Sequence, residues 1–202
     1  MPPDEIDIRE GGVPRPQPPR LMLQLKLDKQ WSVLDFASEV QALDTLYRLH
    51  NITHGLQRPQ HNIEISREQS VAAILRAPLS LDNAFHVVRI SYASPGSFTA
   101  KGLPGVVQAV FNSLERVLTM VRDWPHHQAL NTIKRQREFI KLMSEFDEYL
   151  DGLGFSQKQR KVAHHEYAKS LSIHAALAAA GKITSTQLEI PRGNDSLPPM
   201  RN

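Results

Sequence analysis

At 202 residues the chain can bury one main core, and its apolar share of 41% and charged share of 22% are those of an ordinary globular protein. The formal charge of +3, left by 24 basic and 21 acidic side chains, is too small to specify a nucleic-acid or membrane partner, and the lack of cysteine excludes disulfides, thiolate metal sites and cysteine nucleophiles. The 14 prolines crowd towards the two ends, so residues 1–20 and 191–202 read as disordered tails; the first of these lacks the basic and apolar regions of a secretory signal, and the expected compartment is the cytoplasm.

Residues 21–27, LMLQLKL, alternate leucine with Met22, Gln24 and Lys26, the period of a half-buried strand. Ser32, three residues before Asp35, predicts the N-cap of a helix. That helix carries Val33, Phe36, Val40, Leu43, Tyr47 and His50 on one stripe and ends between Asn51 and Gly55. After the polar connection HGLQRPQHN, the pattern gives a short strand at 63–65 and a helix from Arg67 to Arg76 capped by Ser66. Residues 85–92, FHVVRISY, are apolar on both faces at Val87 and Val88, which predicts a central strand.

Next comes SPGSFTAKG, rich in small and hydroxylic residues and read as a loop, followed by the apolar run LPGVVQAVFNSLERVLTMV. This run approaches the length of a membrane span, but Gln108, Asn112, Glu115 and Arg116 share one helical face. Val107, Val110, Phe111, Leu114, Val117, Leu118 and Val121 turn the other way, so the helix is amphipathic and no membrane partner is expected. Further on, Phe139, Met143, Phe146, Leu150 and Leu153 recur at steps of four and three, the seam of a helix that stops at Gly152 and Gly154. Ser156 and Gln159 form a capping-box pattern that opens a last helix running to Gly181. These elements predict an α/β (α+β) fold. Residues 21–130 form its core, with a small mixed sheet of three to four strands and several helices; an antiparallel helical hairpin follows over 131–181, then a terminal strand over 182–190.

Four groups of residues carry possible chemistry. Ser94, Gly96, Ser97, Thr99 and Lys101, ahead of a helix start, would suit an anion, although the P-loop spacing is absent and Pro95–Gly96 equally suits a plain turn. His50 and His54, four apart, are the candidates for a metal, but no carboxylate accompanies them and no metal or other cofactor is expected. Lys134, Arg135 and Arg137 form one basic cluster and Lys158, Arg160 and Lys161 another; in a hairpin they would lie roughly 25 to 35 Å apart and meet nucleic acid only separately. Finally, Phe139, Ile140, Met143, Phe146, Tyr149 and Leu150 offer more apolar surface than one neighbouring helix covers, beside the small-residue run HAALAAAG.

No nucleophile elbow or comparable catalytic spacing occurs. The function these patterns predict is therefore a non-enzymatic cytoplasmic assembly protein whose helical hairpin contacts a protein partner or a second copy. A nucleic-acid-binding module and a phosphate-ligand protein are the alternatives.

Overall fold

Alternating leucines make residues 21–27 a strand, and in the computed structural model that strand sits in the middle of the sheet. The structure describes residues 20–28, 30–57, 71–77, 79, 83–91, 95–122 and 128–190. They form β1 (Leu21–Leu27), α1 (Val33–Gln57), α2 (Val71–Arg76), β2 (His86–Ser91), β3 (Gly96–Gly102), α3 (Pro104–Arg122), α4 (Gln128–Gly152), α5 (Gln157–Ala179) and β4 (Ile183–Glu189). The single four-stranded sheet runs β2-β3-β1-β4. Every pairing in it is antiparallel.

Because of that order, β1 and β2 run the same way with β3 between them, and β3 and β4 run the same way with β1 between them. Strands related in this way cannot be joined by hairpins, so helices carry the chain across: α1 and α2 for the first pair, α3 to α5 for the second. In register, Leu23 and Leu25 face Ala100 and Phe98. These four are buried with Leu43, Leu46 and Tyr47 of α1 and Val107, Val110 and Leu114 of α3. The other side of β1 carries Met22, Gln24 and the exposed Lys26, which completes the alternation.

Two expectations fail here. The stretch 96–102 is not a loop but the inner strand β3, paired on both sides. Phe98 and Ala100 supply an apolar face at period two, and pairing with both β1 and β2 outweighs the turn-forming composition of Ser97, Thr99 and Lys101. Conversely, β2 is an edge strand rather than the central one, with Val87 and Val88 46% and 49% exposed. Its register shifts between Val87 and Arg89, and a bulge there puts adjacent valines outside the pleat without requiring two buried faces.

The caps follow the sequence closely. Ser32 Oγ accepts from Asp35 N (3.0 Å), and Asp35 Oδ2 accepts from Ser32 N (2.8 Å). The same carboxylate receives Lys182 Nζ at 2.5 Å, while Trp31 Nε1 and Asp28 N donate to the Lys182 carbonyl, so the start of α1 is tied to the start of β4. Ser156 and Gln159 form the full capping box of α5. Gly154 (φ 78°) follows α4 and Gly181 (φ 69°) follows α5. At the latter end Gly181 N reaches Ala178 O and Lys182 N reaches Leu177 O, a closure that uses the left-handed backbone glycine accepts.

The strand expected at 63–65, the cap at Ser66 and the first residues of the following helix lie outside the described residues, as do both tails but for Arg20. Among the described residues, no helix is long and apolar enough to cross a membrane.

Candidate functional site

Helix α4 carries one buried stripe, Leu142, Phe146 and Leu150, and leaves a concavity on either side of it. Near the 153–156 connection it packs closely. The Phe146 ring stacks on Tyr167 of α5 (centroids 4.1 Å apart, planes at 16°), and Arg160 of α5 pairs with Asp151 (2.5 Å) and Asp147 (3.6 Å). On α4's other flank Arg116 of α3 holds Glu145 at 2.5 Å and Glu138 at 3.8 Å. Each of the close pair keeps the other charged: the Glu145 carboxylate pushes the Arg116 guanidinium up, and the guanidinium pulls the carboxyl down.

The first concavity, about 420 Å³, lies between α1, α3, α4 and α5 and has a polar floor. Buried Ser113 Oγ lies 2.8 Å from Tyr167 Oη and 3.3 Å from His50 Nε2, and it donates to the Ala109 carbonyl at 2.9 Å. Burial drives the Tyr167 hydroxyl up to about 12, so it stays neutral and serves as a hydrogen-bonding group. At the rim, Tyr149 bonds Thr53, and its hydroxyl is likewise pushed up by burial. These groups satisfy one another: Ser113 is tied to a backbone carbonyl inside α3, and Arg116 is already bound to carboxylates. The arrangement links α1, α3 and α5 through polar contacts.

The second concavity differs in chemistry. It is a groove of about 660 Å³ with Val117, Met120 and Val121 of α3 on one wall and Gln136, Phe139 and Ile140 of α4 on the other. Its floor is α5, where Leu171 is followed by Ser172, Ala175, Ala176 and Ala179. Ile140 is 65% exposed, the most exposed large apolar side chain of α4 among the described residues. The seam of α4 is thus closed near its connection to α5 and open further towards its N-terminus.

Of the six residues expected to form an interface, only Phe139 and Ile140 line this groove. Phe146 (5% exposed) and Leu150 (2%) are covered within the chain, because Tyr167 and the core of α3 and α5 take up their surface. Met143 is half-buried against the same core, and Tyr149 lines the polar concavity. Sequence reasoning missed the α3 wall at Met120, although Val117 and Val121 stood on the apolar stripe it identified. The alanine run was the visible signal for the floor.

The anion candidates are not gathered into a cradle. Ser94 lies outside the described residues, and Gly96, Ser97, Thr99 and Lys101 are spread along β3, with Thr99 buried. At the start of α3, where an anion would stand, Leu103 N instead donates to Tyr47 Oη at 3.0 Å. His50 faces Ser113 and the rings of Phe146 and Tyr167, and the side chain of His54 lies outside the described residues. Among the described residues, no three His, Cys, Asp or Glu come together as metal ligands.

Lys158 and Lys161 are exposed on α5, Arg137 is exposed on α4, and Arg160 is engaged by Asp147 and Asp151; the side chains of Lys134 and Arg135 lie outside the described residues. One further pair escaped sequence reading. His174 Nδ1 lies 2.7 Å from Glu39 Oε1, both residues buried, between helices whose contacting positions are 135 residues apart.

The chain matches no protein-family model, no curated protein and no solved structure.

Proposed function

We propose that this protein is a non-enzymatic interaction module and that the groove between α3, α4 and α5 receives a helix of a protein partner. The observation that carries the reading is the pairing of an apolar wall, Phe139 and Ile140, with a floor of Ser172, Ala175, Ala176 and Ala179. Small side chains let a helix backbone come close, and large ones on either side enclose its apolar face. A well-exposed isoleucine beside such a groove forgoes about 1.5 to 3 kcal/mol of burial, which a docked helix would recover.

The lack of native cysteine makes a clean test available. Ile140→Cys, labelled with an environment-sensitive fluorophore, reports whether the groove is filled. Titration with a leucine-faced amphipathic helical peptide is expected to give a saturable blue shift. An unchanged spectrum, with the labelled protein folded by circular dichroism, would contradict the reading.

A further inference from the structure

We propose that the polar concavity between α3 and α4, apart from the docking groove, is a binding site for a small uncharged aromatic molecule that donates a hydrogen bond, such as a hydroxyarene. Its walls are two helix faces of equal spacing. Ala109, Asn112, Ser113 and Arg116 stand at i, i+3, i+4 and i+7 on α3, and Leu142, Glu145, Phe146 and Tyr149 occupy the same steps on α4. The small Ala109 and Ser113 leave room opposite the α4 rings. That space, about 420 Å³, lies within the range that takes a small organic ligand.

The hydroxyl protons around it are spent inside the protein. Thr53 Oγ1 donates to the His50 carbonyl at 2.8 Å, so in its bond with Tyr149 the tyrosine is the donor. Ser113 Oγ gives its proton to the Ala109 carbonyl, so it accepts from Tyr167 Oη at 2.8 Å and from His50 Nε2 at 3.3 Å. The oxygens of Tyr149 and Tyr167 are left with lone pairs, and burial, which pushes both hydroxyls up, keeps them neutral. Donors remain at the rim, on Asn112 and Arg116. A ligand that enters must therefore bring its own donor to the tyrosine oxygens.

The charges beside this space are already matched. Arg116 and Glu145 pair at 2.5 Å, Glu138 lies 3.8 Å from Arg116, and Lys141 attracts Glu145, so two cations stand with two carboxylates. The neighbouring acids face elsewhere, Glu115 to Thr186 and Glu148 to Ser144. A charged ligand would break a formed pair or stay unpaired against Leu142 and Phe146, whereas a neutral ring displaces water from those side chains and packs on the aromatic lining.

The test titrates the full chain with naphthol at neutral pH by isothermal calorimetry, beside its methyl ether, naphthoate and decahydronaphthol. Naphthol is expected to bind saturably, about fivefold more tightly than the ether, which keeps the shape and loses the donor. It should also bind more tightly than naphthoate or the saturated alcohol. Ala109→Phe should fill the space and abolish binding, and Ile140→Lys in the other groove should leave binding unchanged. Tyr149→Phe with Tyr167→Phe, in a protein folded by circular dichroism, should bring naphthol and its ether to equal affinity.

The absence of saturable heat, or binding lost in Ile140→Lys and kept in a folded Ala109→Phe protein, would overturn the site. Equal binding of naphthol and its ether to the parent chain would overturn the hydrogen-bond donor. Tighter binding of naphthoate would overturn the uncharged class, and equal binding of decahydronaphthol the aromatic one.

Discussion

Adding one methyl group at Gly102 probes how β3 meets α1. A Cβ there would lie 2.5 Å from Tyr47 Cε2, 2.8 Å from its Oη and 2.9 Å from its Cζ, all shorter than atoms tolerate. The ring has little room to yield. Tyr47 is fully buried and stacked on Phe85 with centroids 4.8 Å apart, and its hydroxyl accepts from Leu103 N at 3.0 Å. Tilting the ring away costs about 1 to 3 kcal/mol as overpacking, and losing the hydrogen bond adds about 1 kcal/mol.

Gly102→Ala is therefore expected to lose about 2 to 4 kcal/mol, a large part of the stability of an ordinary domain. Urea unfolding followed by circular dichroism should show a lower midpoint with an unchanged slope. Tyr47→Leu makes room at the cost of its own packing, so the double variant should fall short of the summed losses by about 1 to 2 kcal/mol. A Gly102→Ala protein within about 0.5 kcal/mol of the parent, or strict additivity in the cycle, would refute this packing.

Three other outcomes follow from buried and capped groups. Glu39→Ala leaves the buried His174 without its 2.7 Å hydrogen-bond partner and should cost about 1 to 3 kcal/mol, while Glu39→Leu combined with His174→Leu should recover much of it; a single-variant loss below about 0.5 kcal/mol in urea unfolding would contradict the pair. The Asp35 carboxyl, held down to about 2 by Lys182 and then Ser32, contributes stability that is full above about pH 4 and lost as the pH falls towards 2; Asp35→Asn should flatten this part of the acid profile of the urea midpoint, and an unaltered profile would contradict it. The Tyr167 hydroxyl, raised by burial to about 12, gives the opposite sign: stability is full below about pH 10 and falls by about 3 kcal/mol as the pH rises through 12. Tyr167→Phe should remove that alkaline loss, as read by unfolding midpoints.

Local signals were legible where one short-range interaction decides the structure. Ser32 with Asp35, Ser156 with Gln159, Gly154 and Gly181 are all set within a few residues, and each stands where the sequence places it. The alternation of β1 and the apolar stripe of α3 are equally local and equally clear. The order of the strands is not local. β3 was hidden because its serine, threonine and glycines suit a turn, and only pairing to β1, some 75 positions away in register, makes them a strand. The Glu39–His174 pair was hidden for the same reason, although a glutamate beside Phe36 and Val40 on an apolar stripe is a sign that some partner must meet it. The site was half legible: Ile140 and the alanine run are in the sequence, but which residues of the α4 seam α5 covers depends on how α4 leans.

Alanine-methyl NMR of the chain with the leucine-faced amphipathic helical peptide tests the docking groove most directly. Ala175, Ala176 and Ala179 line the floor, while Ala42, Ala100 and Ala163 are buried in the body away from it. The expected result is shifts that saturate together at the three floor methyls and leave the other three in place. Methyl resonances unmoved by saturating peptide, or shifts that fall on Ala100 in the sheet and spare the floor, would contradict a helix-docking groove between α3, α4 and α5.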